Sequence, residues 1–366
     1  MTGPSGVCIW DTTGTATHCN DYTQGTERAA SGSTRPDPRT RVSVENGQNL
    51  IGTLDKADQM MARTLLSVSI IFLLVGIGAT SQSARAQAIS IAQPSPVELV
   101  RTTVANEVAA ANDNSIKHLF LAYKKTAQGT QTRIYVETRE AMAGMTIAYN
   151  DRPLTPQQLQ SEEGRLAGLA NHPDQLERKN KQEKEEAEHT LRIVKALPDA
   201  FLFDPDGEED GTPSLGREGV RLVRLKFRPN PAYHPPSHVE EALVGMRGVI
   251  LIDPAVHRIA RIDGTLFKEV TFGWGILGHL DKGGHFLVEQ RGLDDGSWDI
   301  SHMSLRFTGK VLLFKSISIN SDEGFSNFRR VPADTTFAQG VQMLEAEQAR
   351  LAQSGADTTK AENRSH

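Results

Sequence analysis

The chain has 366 residues, with 40 Lys+Arg against 45 Asp+Glu, a formal net charge of −5 and a sequence pI near 6.1. That balance supplies no basic footprint of the kind nucleic-acid binding needs. The only two cysteines, Cys8 and Cys19, lie far toward the N-terminus, so disulfides, thiol nucleophiles and thiolate metal sites are excluded from everything downstream.

Residues 1–59 are rich in Thr, Gly, Ser, Asp and Asn and carry no apolar periodicity, so they cannot bury enough surface to offset the entropy of ordering them. They read as a disordered or untranslated stretch, with the true start at Met60 or Met61. Residues 60–86 then have the three parts of a secretory signal: Arg63, the apolar run Leu65–Ala79, and the small residues of Ala84-Arg85-Ala86. The run falls short of the ~20 residues that span a bilayer. A periplasmic product cleaved near Ala86, with no stable membrane span, is expected. Its body is one domain over residues 87–353, followed by a disordered tail over 354–366.

Ser95-Pro96-Val97-Glu98 opens a helix with a capping box and proline in its first turn, and Val97, Val100, Val104 and Val108 mark the expected buried stripe. Strands are predicted over Lys117–Thr126, Gln131–Thr138 and Met145–Tyr149, the first two joined as a hairpin. A helical insertion covers about residues 151–216. One helix follows the cap at Thr155-Pro156; a second follows His172-Pro173 and runs to about Leu197, its first half nearly all polar and expected in solvent. Asp204–Gly216 reads as an acidic loop. Val220–Arg228 reads as a strand with Val223, Leu225 and Phe227 on one face and Arg224, Lys226 and Arg228 on the other.

From Arg247 to Val331 short runs rich in Val, Ile, Phe and Trp alternate with turns rich in Gly, Asp and Pro, the pattern of an antiparallel meander. In Trp298–Phe307 the apolar parity switches from Trp298 and Ile300 to Met303, Leu305 and Phe307, which predicts a bulge near Ser301-His302. Val311–Asn320 is expected to form one strand. Thr336–Gln339 caps a last helix that Ser354-Gly355 should stop.

Motifs for chemistry are sparse. Gly273-Trp274-Gly275-Ile276-Leu277-Gly278 contains G-x-G-x-x-G, but no helix follows it, so it reads as a turn and not a dinucleotide site. His279, Asp281 and His285, and separately His234 and His238, cluster in sequence without assembling a ligand set. Asp204, Asp206 and Glu208 lack the glycine and the closing glutamate of a calcium loop. Ser214 does not sit in a nucleophile elbow, and Glu188-His189 lacks a second histidine. No catalytic residue, metal site or cofactor is assigned, and a non-enzyme is expected. Phe120, Tyr123, Leu225, Phe227, Trp274, Trp298 and Phe314 are large apolar residues on strands or their turns. They read as ordinary core or, in the sharper alternative, as the walls of a cavity for an acyl chain.

The order of elements, with GVILIDPAVHRIARIDG and FTGKVLLFKSISINSDEGFSNFRRVP, resembles the outer-membrane lipoprotein-sorting (LolA-like) superfamily. That resemblance implies an α+β fold: a strongly curved antiparallel sheet, an incomplete barrel, with helices packed as a lid and here a helical insertion. It implies a periplasmic binding or carrier protein for an apolar ligand, a lipid or a lipoprotein acyl chain. The alternative is an envelope interaction or stress-sensing module that docks on an envelope protein and takes no small ligand. The chain departs from the carriers in its length, mostly through residues 151–216.

Overall fold

The computed structural model describes residues 95–272, 277–311 and 315–362. The expected signal segment, both cysteines, Trp274 and Phe314 lie outside the described residues. Four helices, α1 (Pro96–Ala111), α2 (Pro156–Asn171), α3 (Pro173–Ala200) and α4 (Phe337–Glu362), accompany one antiparallel sheet of 13 strands. In chain order these are β1 (Lys117–Thr126), β2 (Gly129–Val136), β3 (Ala143–Tyr149), β4 (Arg152–Pro153), β5 (Phe201–Asp210), β6 (Arg221–Pro229) and β7 (Met246–Asp253). They continue as β8 (Arg258–Leu266), β9 (Val270–Phe272), β10 (Gly278–Leu280), β11 (His285–Gly292), β12 (Trp298–Val311) and β13 (Lys315–Val331).

The sheet runs β4-β3-β2-β1-β13-β12-β11-β8-β7-β6-β5; off this path β10 pairs with β12, and β9 pairs with β10. Its terminal strands, β4 and β5, do not pair, so the curved sheet stays open, as the α+β reading expects. Those two edges are consecutive in the chain, and the α2–α3 pair carries the chain from one edge to the other. At 28 residues, α3 is about 42 Å long.

Register assigns the faces. One row reads Leu225, Ile250, Ile262, Val288, Met303, Glu323, Lys124 across seven strands. The adjacent row, on the opposite face, reads Arg224, Leu251, Arg261, Glu289, His302, Gly324, Tyr123. The first face is apolar. At β6–β8 it is covered by α1 and the C-terminal part of α3, around Leu99, Val100, Val104, Leu197, Leu225 and Phe227. Further along it Phe120, Met303, Leu305, Phe307 and Phe325 pack together. There Gly264 makes room for the Phe286 ring, since a Cβ on it would lie 2.2 Å from a ring carbon. On the second face, α2 and α4 cover β1–β3 through Leu119, Ile134, Met145, Leu166, Phe337 and Leu344. Leu222 and Leu251 form a smaller apolar cluster on that face with Leu215 and Ala260, and beside it the face is polar. Arg224 and Arg261 both reach Glu209, Arg261 and His302 both reach Glu289, and His302 reaches Asp322.

Several expectations hold in detail. Ser95 caps α1, Thr155 and Gln158 form a reciprocal box at α2, and Thr336 and Gln339 do the same at α4. The bulge falls at Ser301: Gln290 pairs with Ile300 and Glu289 with His302, leaving one extra residue on β12.

Others are corrected. The acidic stretch Asp204–Gly216 is not a loop throughout; Asp204–Asp210 belong to strand β5. Asp and Glu have poor strand propensity, but here each is neutralised across the pair: Asp204 by Arg228, Asp206 by Arg224 and Lys226, and Glu208 and Asp210 by Arg221. Val311–Asn320 is not one strand. Val311 closes β12 and pairs with Lys315, the first residue of β13, and no turn residue in the sequence marks the change of strand. The buried stripe of α1 is Leu99, Val100, Thr103, Val104 and Glu107, which turns Val97 away from the core. The polar half of α3 does not simply face solvent. Asn180 donates to the Glu140 carbonyl, Glu183 accepts from the Met142 N–H, and Glu186 is buried. Finally, α4 continues past Gly355 to Glu362, since a single helical glycine costs only about 1 kcal/mol.

Candidate functional site

Two places concentrate polar chemistry against apolar walls. The first is a groove of about 580 Å³ where the start of α1, the end of α3 and β5 meet. Phe201 sits at the switch from helix to strand, with extended dihedrals that end α3 and begin β5. Asn230 secures that corner: its N–H donates to the Ala200 carbonyl at 2.8 Å and its side-chain amide to the Asp199 carbonyl at 2.9 Å. The groove has apolar walls from Pro96, Val97, Pro198, Phe201, Leu202 and Phe203, with Tyr233 beside them. Leu202 is 36% exposed. Arg101 and Arg228 stand at the mouth, paired with Asp199 and Asp204 at 3.3 Å each. The Tyr233 hydroxyl is buried without a partner among the described residues, and burial, with the charges of Glu240 and Asp199, raises its pKa.

The second is a buried charge cluster centred on His118 of β1. Its Nε2 lies 3.0 Å from Asp295 Oδ2 in the β11–β12 turn, and its Nδ1 lies 3.3 Å from Asp299 Oδ2 on β12. Glu137, just past β2, accepts from the His118 backbone N–H at 2.7 Å, while its second oxygen has no partner among the described residues. His118, Glu137 and Asp299 are 3, 4 and 1% exposed. Burial by itself would lower the imidazolium pKa, but the bonds to Asp299 and Asp295 outweigh it and hold the ring protonated up to about 9. Burial, with the Asp299 charge, pushes Glu137 up to about 8. Burial also raises Asp299, to about 6, against the opposing bond from His118.

Ser297 Oγ lies 3.4 Å from His118 Nε2, so Ser297, His118 and Asp299 superficially trace a nucleophilic triad. The arrangement cannot work as one. The serine hydroxyl donates to Asp295 at 2.5 Å, and an imidazolium bonded to a carboxylate at each nitrogen has no lone pair to take the serine proton. The cluster instead stores protons. All three shifted groups hold them more tightly in the folded chain than at their ordinary values of 6.5, 4.5 and 3.8. Their contribution to stability is therefore present at acid pH and lost as pH rises through about 6, 8 and 9 in turn. Carboxylates shifted the other way, Glu162 and Glu347 among them, lose theirs only below 4.5. The thermal midpoint should thus be highest near pH 5 and fall steadily to pH 9, and Glu137→Gln should flatten that slope between about 4.5 and 8. A midpoint that rises with pH across this window, measured by circular dichroism, would contradict the assignment.

Of the seven residues singled out from the sequence, the five that the structure describes do not converge. Leu225 and Phe227 lie behind the groove floor, where the Phe227 ring centroid is 4.7 Å from that of Phe201. Phe120 is fully buried in a separate cluster on the same face, stacked on Tyr135 and Phe328. Tyr123 is 41% exposed on the opposite face, and Trp298 packs with Leu215, Leu222, Leu251 and Ala260. Sequence reasoning missed the His118 cluster entirely. The one available signal was parity: His118 shares its strand face with Phe120 and Ala122, an apolar face.

Among the described residues no helix is long and apolar enough to cross a membrane. No protein-family model matches the chain, and no curated protein matches it. Among solved structures it is similar to a DUF1329 family protein from Desulfovibrio piger, at 9% identity over 64% of this chain and 92% of that one, with a TM-score of 0.21. A likeness that slight transfers no property.

Proposed function

We propose that the chain is a periplasmic binding protein for an amphiphile, a lipid or the acyl part of a lipoprotein, held in the groove between α1, α3 and β5. The observation that supports this is the groove's make-up: a trough of mixed lining, with one wall of Pro96, Val97, Pro198, Phe201, Leu202 and Phe203 and two arginines among its polar residues. Its volume falls within the ~300–1,000 Å³ of small-molecule sites. The aliphatic wall would shield an acyl chain from water, and Arg101 or Arg228 could exchange a surface aspartate for an anionic head group, since exposed ion pairs are worth little by themselves. The resemblance of the meander to lipoprotein-sorting proteins points the same way.

Native mass spectrometry of residues 87–366 purified from a periplasm, followed by titration with a fluorescent fatty acid, tests it. We expect one bound lipid mass per chain. Leu202→Asp and Val97→Asp should each weaken uptake by tenfold or more, because an unpaired carboxylate against an acyl chain costs at least about 1–3 kcal/mol, while the melting temperature stays put. Uptake that both variants leave intact would place the ligand elsewhere. A clean apo mass with no uptake would favour the docking module, in which the exposed charges of α3 around Arg178, Lys181 and Glu185 meet an envelope protein.

A further inference from the structure

We propose that Glu269, His279 and Asp281 form a binding site for one divalent transition cation of the zinc class. Leu280 pairs with Val270 across the β9–β10 hairpin, so Glu269 falls opposite Asp281, and His279, two residues from Asp281, projects on the same side. One ligand atom from each of the three residues lies within 4.8 Å of the other two. His279 Nε2 and Asp281 Oδ1 are 3.4 Å apart. Ligand atoms on a tetrahedral zinc with bonds of about 2.05 Å are separated by about 3.3 Å, so this pair already has the spacing of one edge of the coordination shell. Glu269 is exposed and closes the third position by rotating its own side chain.

Two further observations favour a cation. Asp281 is held from behind: its other oxygen accepts from the Thr308 hydroxyl at 2.6 Å, and its backbone N–H donates to the Thr308 carbonyl at 2.9 Å. Such a support orients a ligating carboxylate. The charge is also uncompensated. Acidic residues elsewhere on the sheet, Asp206, Glu208, Glu209 and Glu289 among them, are bridged to arginine or lysine. Among the described residues neither Glu269 nor Asp281 is, and with a neutral His279 the site carries two negative charges, matching a divalent ion. One imidazole and two carboxylates suit zinc, and three protein ligands leave a coordination position open to water or to a further group. His285, close by in sequence, is not part of it, because its Nε2 pairs with Asp263 at 2.8 Å.

The test is calorimetric titration of the tag-free chain with Zn2+, with melting temperature read in parallel. One equivalent should bind and raise the melting temperature. His279→Ala and Glu269→Gln should each weaken binding about tenfold or more, Thr308→Val should weaken it less, and His285→Ala should leave it unchanged. Glu269 is exposed, so its variant reports on binding even if His279→Ala proves unstable. The proposal is overturned if no Zn2+ binds at millimolar concentration, or if Zn2+ binds equally well to the His279 and Glu269 variants.

Discussion

Replacing His118 by alanine is expected to destabilise the fold by about 3–5 kcal/mol, the range for removing one partner of a buried ion pair. The imidazolium is the cation that Asp295 and Asp299 share, at 3.0 and 3.3 Å, and it also faces Glu137 at 3.8 Å. Without it, the Asp299 carboxylate is left buried without the cation it shares, and the edge-on contact with the Phe328 ring is lost. Against a typical total of ~5–15 kcal/mol the loss is large enough to move the urea midpoint far down without altering the slope. Adding Asp299→Asn to the alanine variant should recover much of it, because an amide does not carry the orphaned charge; the two effects are therefore not additive. A loss under about 1 kcal/mol would mean that solvent reaches the cluster and screens it as at a surface.

Arg258→Met should have an effect of similar size, about 3–5 kcal/mol, by a different route. Arg258 is 6% exposed, donates through Nε to Glu107 Oε1 at 2.9 Å and lies over the Trp298 ring at 5.4 Å. Glu107 also accepts the Ile259 N–H at 2.7 Å, so this carboxylate on α1 fastens the helix to β8. Methionine fills the volume but leaves Glu107 charged and buried with only a backbone donor. Hydrogen exchange should show α1 losing protection more than β12 or β13, since local opening follows the fastening that was cut. Because Val97 and Arg101 of α1 line the groove, fatty-acid uptake should weaken in the same variant. The double change Arg258→Met with Glu107→Gln keeps the Ile259 bond and removes the charge, so it should be more stable than Arg258→Met alone. Equal protection of α1 in wild type and variant would show that its apolar contacts suffice to hold it.

What the sequence by itself determined was local. An N-cap at Ser95 and capping boxes at Thr155 and Thr336 set the starts of three helices, because a cap is satisfied within four residues. Strict alternation assigned both faces of β6, and the parity switch at Ser301 located the bulge, since strand period depends only on neighbouring residues. Acidic β5 escaped notice because its strand character comes from arginines of β6, as far as 24 residues away, and not from its own propensities. The rotation of α1 was likewise decided by a partner, since Thr103 and Glu107 are buried only where Arg258 and β8 meet them. The groove exists because α1, α3 and β5, whose lining residues Pro96 and Asp204 are 108 residues apart, end at one corner. His118, Glu137, Asp295 and Asp299 meet only after β1 has paired with β13 and β13 with β12, an arrangement long-range hydrogen bonding creates and no local pattern encodes.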